Sequence, residues 1–381
     1  MDCQLCSLTN NSCCCARQVC RKFKQVFEQY PELSRWMVLP ETFAASSLPS
    51  VRKWLHLFGS AVQGVSCKST GAAEDVLTPL SWPGSHVHTI HIYSASPSML
   101  HVLSVMTSLT TCDLLNDFSC PCDLTPMQAL PNLSSLYLQD GTFLNIHTLA
   151  HLTELRLSRV HVQTSAAWAC CTSLKQAHWH ESYVEGLHPQ GLVTCSNLQN
   201  VSMFSSAVTA IDRSEKLDLA TLSPCIPKSI SRLTNLYHLQ IGINRPEGAE
   251  LQVSQVYQLG SLSHFSYLGS SALHLELGLS QLTNLVCLSL SSNLRSSLVH
   301  ISFAAMDWQK LYSLELLMLH GCKLSFGASI LTIVEHQRMH TIVVDGCIPA
   351  NQHTSKFYAD LVYTLALRRP DIQFSTVMLD T

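Results

Sequence analysis

Charge is scarce in this chain. Of its 381 residues only 13% are Asp, Glu, Lys or Arg, while 46% are apolar. Such a balance excludes wholesale disorder, because the chain has ample apolar surface to bury. The 23 basic residues face 26 acidic ones, for a net charge of -3. No basic footprint stands out, which argues against nucleic acid as a partner. No apolar run approaches the ~20 residues of a membrane span. The opening residues, MDCQLCSLTNNSCCC, lack the basic and apolar regions of a secretory signal. Asp2 excludes N-myristoylation. There is no glycine-rich phosphate loop, no G-x-S-x-G elbow and no H-E-x-x-H helix. No catalytic residue, metal or cofactor is therefore expected.

Cysteine, by contrast, is plentiful. The 17 cysteines are an odd number spread over a long chain, unlike a small disulfide scaffold. Most sit inside apolar runs, where a free thiol packs as a small hydrophobe. That usage fits a reducing compartment, the cytoplasm or the nucleus. Cys3 and Cys6 have the spacing of a zinc half-site, but no second pair follows at ligand spacing. Residues 1–15 are read as a Cys-rich, disordered leader.

One pattern organises the rest: L-x-x-L-x-L. It is clearest in LSSLYL (Leu133 to Leu138), LTELRL (Leu152 to Leu157), LVCLSL (Leu285 to Leu290) and LELLML (Leu314 to Leu319). Weaker copies begin at Val62, Val87, Leu109, Leu174, Leu198, Leu236, Leu262 and Met339. The mean interval is about 25 residues, the period of a leucine-rich repeat. Residues two apart on a strand share a face, so the leucines of L-x-L point inward and their neighbours outward. One repeat cannot bury its apolar face alone, so neighbours stack. The fold class expected is α/β, a leucine-rich-repeat solenoid with a curved parallel sheet on the concave side and helices on the convex side.

The repeat domain is expected over residues 33–381, with about twelve or thirteen repeats. SFGASILTIVEHQ and SFAAMDWQKL are expected to be helical returns. Asn244, Asn293, Cys322 and Cys347 occupy the turn after the last leucine, a slot filled elsewhere by Ser182, Ser206, Ser270, Gly141 or Asp117. Cys322 and Cys347 are expected to be reduced and buried in those turns. CIPKSISRLTNLYHLQI resembles a plant-type repeat. The long, polar interval between Leu198 and Leu236 is read as an insertion near 205–232. LSRWMV should be a strand and LPSVRKWLHLFGSAV an amphipathic helix. At the far end a helix capped by Thr354 or Ser355, with Arg368 and Arg369 at its C-terminus, and one last strand should close the stack.

Ahead of the repeats, Val19, Phe23, Val26, Phe27 and Tyr30 fall on one helical face. Pro31 ends that helix. VCRKFKQVFEQYPEL resembles the closing helix of F-box domains, where V-C-[RK]-x-[FW] precedes a P-x-L step. Followed by repeats, residues 16–40 read as a partial F-box-like segment. The chain is thus similar to the F-box/leucine-rich-repeat family, although the opening L-P-x-E helix of an F-box is not visible. The resemblance implies a Skp-type adaptor of a cullin ligase as partner, with Val19, Phe23, Val26 and Phe27 as weak adaptor-binding residues.

The strand phase exposes Tyr137, Asp140, Glu154, Arg156, Arg159, His178, His180, Glu181, His238, Gln240, His264 and His320 on the concave face. The cluster from Asp140 to Glu181 is the most polar stretch. His178 and His180 share a face and invite a metal, but Arg156 beside them argues for a plain polar surface. The 19 histidines make binding mildly pH-dependent. The expected function is protein binding by a monomer, as the substrate-recognition subunit of an SCF-type ubiquitin ligase or a derivative of one. The alternative is an adaptor-free scaffold of the cytoskeleton or axoneme.

Overall fold

The computed structural model describes residues 35–39, 48–68, 73–81, 85–93, 96–115, 121–163, 171–180, 183–184, 195–206, 231–244, 250–251, 256–269, 272–274, 277–292, 299–303 and 306–378. The F-box-like helix, Glu181, Asn293 and most of the expected insertion lie outside them. The chain divides into two compact units, residues 1–174 with 182–186, and residues 175–181 with 187–381.

In the first unit, β1 (Trp36–Leu39), β2 (Gly64–Cys67), β3 (Thr89–Ile92), β4 (Thr111–Leu115), β6 (Ser135–Leu144) and β7 (Glu154–Gln163) pair in that order, all parallel. Two short strands, β5 (Cys122–Asp123) and β9 (Tyr183–Val184), pair with the far halves of β6 and β7. The register aligns the repeats leucine on leucine: Leu114 with Leu138, Leu136 with Leu155, Leu138 with Leu157. All of these are buried, as the L-x-L alternation requires.

The second unit repeats the design. Its main ladder is β8 (Gln176–His180), β10 (Asn200–Ser206), β11 (His238–Asn244), β13 (His264–Gly269), β15 (Cys287–Ser292), β17 (Leu316–His320), β19 (Thr341–Pro349) and β20 (Gln373–Met378), again parallel. A second parallel ladder runs through β12 (Glu250–Leu251), β14 (Ala272–His274), β16 (Val299–Ser302), β18 (Cys322–Ser325) and the far half of β19. The sequence reading did not foresee it. Leu288, Leu290, Leu317 and Leu319 are all buried, so the strand phase read from the sequence holds. The fold is a leucine-rich-repeat solenoid of the α/β class.

The return segments correct the sequence reading in part. α1 (Leu48–Phe58), α2 (Ala73–Leu80) and α3 (Pro97–Leu103) are α-helical. Later returns are 3-10 turns: Thr125–Ala129, Ile146–Thr148, Val256–Gln258, Leu277–Gln281, Trp308–Lys310 and Ala328–Glu335. A 3-10 turn rises about 2.0 Å per residue against about 1.5 Å for an α-helix, so a short repeat spans its return with fewer residues.

The final helix, α4 (Gln352–Arg368), takes its cap from Asn351, not from Thr354 or Ser355. Asn351 Oδ1 accepts from Thr354 N at 2.8 Å and from Thr354 Oγ1 at 3.1 Å. An Asn side chain presents its acceptor in the geometry an N-cap needs. Cys322 and Cys347 are buried free thiols on the paired strands β18 and β19, so they lie in strands where turns were expected.

Candidate functional site

The outward residues of the first unit form rows set by the register. One row reads Val38, Ser66, His91, Asp113, Tyr137 and Arg156. Trp36 stands at the end of the adjoining row and is 55% exposed. Its ring lies over Gly64, where a Cβ would meet it at 2.5 Å. It then stacks on His91, with ring centroids 5.9 Å apart. Only a glycine beneath it allows that posture. His91 Nδ1 pairs with Asp113 Oδ2. Burial raises the Asp113 carboxyl above its ordinary range, and the His91 contact offsets part of that rise.

Farther along, Arg156 Nε donates to Glu154 Oε1 at 2.7 Å, and Ser135 Oγ donates to Glu154 Oε2 at 3.1 Å. Tyr137 OH donates to Gln139 Oε1 at 3.1 Å. Beside them, Arg159 Nη2 donates to Asp140 Oδ2 at 2.8 Å.

Asp140 and Arg159 occupy equivalent turn positions, where β6 and β7 pass from the first ladder to the second. Both have left-handed backbones, with φ of 53° and 54°. In the second unit the same turn position holds Gly321 and Gly346, each with φ of 60°. Glycine adopts this conformation freely, whereas a side chain there costs on the order of 1 kcal/mol. At these two positions the chain carries paired side chains where a glycine would be easier. Strain of this kind clusters at functional sites.

In the second unit the outward face differs. His178 and His180 lie on β8, His238 and Gln240 on β11, His264 on β13 and His320 on β17. The His238 and His264 rings stack nearly parallel, 5.6 Å apart at 5°. Ser202 Oγ donates to Gln240 Oε1 at 3.3 Å. Phe204 lies over Gly242, where a Cβ would come within 2.0 Å of its ring, and packs 6.1 Å from His180. His320 sits 3.5 Å from Asp345. Among the described residues no three His, Cys, Asp or Glu side chains converge as metal ligands.

The structure therefore assembles Tyr137, Asp140, Glu154, Arg156 and Arg159 as one polar strip in the first unit. It gathers His178, His180, His238, Gln240 and His264 in the second, with His320 farther along. The residues Val19, Phe23, Val26 and Phe27 lie outside the described ones. Sequence reasoning missed Trp36, Val38, His91 and Asp113. Their repeats (VQGVSC, VHTIHI and LTTCDL) are degenerate, but carrying the strand phase back through them would have exposed these residues.

No protein-family model matches the chain, and no curated protein matches it at a significant level. Among solved structures it is similar to an internalin from Listeria monocytogenes, at 13% identity over 84% of this chain and 82% of that one, with a TM-score of 0.52. It is also similar to a leucine-rich-repeat protein of Leptospira interrogans, at 13% identity over 92% and 98%, with a TM-score of 0.46. At such identities the likeness concerns the fold alone. Among the described residues no helix is long and apolar enough to cross a membrane.

Proposed function

We propose that this chain is a protein-interaction module whose partner docks on the outward face of the strands. The observation that carries this reading is the Asp140–Arg159 pair. Two side chains are held at left-handed positions where the same fold elsewhere uses glycine. Packing does not require them, since both are solvent-accessible. A surface contact that opposes backbone preference is explained by what it presents outward. Around it stand Tyr137, Glu154 and Arg156, with Trp36, His91 and Asp113 on the same face. Aromatic and arginine side chains are the usual anchors of protein interfaces.

The F-box-like sequence at Val19–Leu33 supports a more specific assignment. In it the chain is the substrate receptor of an SCF-type ubiquitin ligase or a derivative of one, joined through a Skp-type adaptor. The strand face would then hold the substrate.

The test replaces Asp140 and Arg159 together by glycine. Relief of the left-handed strain and loss of an exposed ion pair, worth ~0.2–1 kcal/mol, roughly offset. The unfolding midpoint should therefore stay within about 1 kcal/mol of the parent. Proteins captured by the parent chain should be lost from the variant. Capture that is unaffected by the double substitution would remove the strip from the binding surface.

A further inference from the structure

We infer that the histidine patch of the second unit, built on His178, His180, His238 and His264, is a docking site for an acidic protein segment that engages as the pH falls below neutral. The inference rests on the reading of the strand face as the binding surface and names the chemistry of one partner.

The strands β8, β10, β11, β13 and β15 carry no Asp, Glu, Lys or Arg. Facing the His238–His264 pair are Asn200 and Ser202 from β10, Gln240 from β11 itself, and Gln176, His178 and His180 from β8. Cys287 adjoins from β15, and Tyr237 and Lys175 stand at the strand entries. On these five strands, charge in the accessible range comes from histidine. These five strands are neutral at alkaline pH and gain only positive charge as the pH falls, with the Lys175 cation at the entry of β8 adding to it.

The hydrogen bonds around His264 fix which nitrogen changes. Ser263 Oγ donates its proton to Tyr237 O at 3.0 Å. The same oxygen lies 2.8 Å from His264 Nδ1. With its proton used, the hydroxyl accepts, so Nδ1 carries hydrogen. In the neutral ring Nε2 is then an acceptor, which repels a carboxylate. Protonation turns Nε2 into a charged donor, which attracts one. The ring is exposed, so this edge is open to a ligand. Its stacked neighbour His238 is held below its ordinary pKa, first by burial and then by positive charge on His264 and His178. An anion seated on the pair would offset both influences, so binding and proton uptake are linked.

A protein carboxylate suits the patch better than nucleic acid. Affinity for a phosphate backbone rests on neutralisation by Lys and Arg, which these strands do not supply. Polar Asn200, Ser202 and Gln240 flank the histidines and offer hydrogen bonds to a peptide, while Phe204 supplies a flat apolar contact beside His180.

The experiment uses the full chain and a short fluorescein-labelled poly-glutamate peptide, followed by fluorescence anisotropy at constant ionic strength. Glutamate ionises near pH 4.3, so the peptide stays anionic at both about pH 7.5 and about pH 5.5. Affinity should rise about fivefold between them, the change expected over this window if binding raises one ordinary histidine by about one pKa unit. A matched poly-glutamine peptide should not bind. The single variant His264→Gln, at an exposed position, should lose the gain. His264→Lys should bind at both pH values, because its cation no longer titrates there. Equal poly-glutamate affinity at the two pH values, or a gain surviving in His264→Gln, would overturn the inference. So would an oligothymidylate that binds as well as poly-glutamate, since the patch would then take phosphate polymers. A partner still captured through Asp140 and Arg159 under any of these outcomes would leave the strand-face reading intact.

Discussion

At the residue scale, His336 shows how burial sets behaviour. It is buried, and neither ring nitrogen has a hydrogen-bond partner. Burial holds its pKa below the ordinary histidine value; the nearby Trp308 backbone and the Glu335 charge offset part of that, and Arg369 pushes the same way as burial. As the pH drops below about 6.5 the unfolded chain binds a proton that the folded chain refuses, so folding stability falls. His238 is depressed as well and adds to the same slope. His336→Leu removes two unsatisfied nitrogens, so at about pH 7.5 it should stabilise by about 1 kcal/mol. It should also lose less stability than the parent on going to about pH 5.5. Urea unfolding at the two pH values checks this, and an unchanged pH slope would show that His336 takes up its proton equally in the folded and unfolded chains. Cys322 and Cys347 belong at this scale too. The Cys322 amide donates to Cys347 Sγ at 3.4 Å, and the Cys347 thiol reaches Leu319 O at 3.4 Å. The slot that repeats give to Asn or Cys is thus used to tie one strand to the next.

At the scale of elements, the strands were legible and the returns were not. A strand in a stacked repeat is dictated by its own leucines, because each must face the core. A return of a few residues can close the same distance as an α-turn or a 3-10 turn, and the choice depends on the neighbouring repeat. The second ladder escaped notice because its strands are two to four residues long, too short for alternation to show. Side-chain ties between repeats were equally hidden. Asn132, Asn235 and Asn284 each precede a core leucine, and their Nδ2 groups donate to Thr107 O, Ser196 O and Gly260 O of the repeat before. Arg369 makes the largest such tie. Its guanidinium donates to Val334 O at 3.1 Å, His336 O at 2.7 Å and Met339 O at 2.9 Å, and it also pairs with Asp371. Sequence reading assigned Arg369 to the C-terminal end of its own helix. It does stand there as the C-cap, its amide donating to Leu365 O, while its guanidinium serves the carbonyls at and just past the end of the 3-10 segment Ala328–Glu335. Arg369→Ala should therefore cost about 2–4 kcal/mol, because three carbonyls lose a charged donor. Arg368→Ala, at an exposed neighbour, should cost under about 0.5 kcal/mol. Equal effects in thermal unfolding would mean that the tie is not made.

At the scale of the whole molecule, stability rests on the leucine rows. Leu317 is 1% exposed and lies between Leu288 and Ile342 in the ladder. Leu317→Ala should cost roughly 2–5 kcal/mol, seen as a lowered denaturant midpoint. An unchanged midpoint would mean that this row is not the core. The same phase that buries these leucines made much of the candidate site readable, since it turns Tyr137, Glu154, Arg156, His238 and His264 outward. What it did not show was the left-handed posture of Asp140 and Arg159, or the stacking of Trp36 on His91 across a glycine. Both depend on a residue's neighbours one and two repeats away. The central claim is that partners meet the outward strand face. A photo-crosslinking amino acid placed singly at Tyr137, at Arg156 or at Gln309, an exposed residue of a return turn, tests it most directly. Adducts with a bound partner should form from positions 137 and 156 and be absent from position 309. Adducts from position 309 with none from the two strand positions would contradict the account.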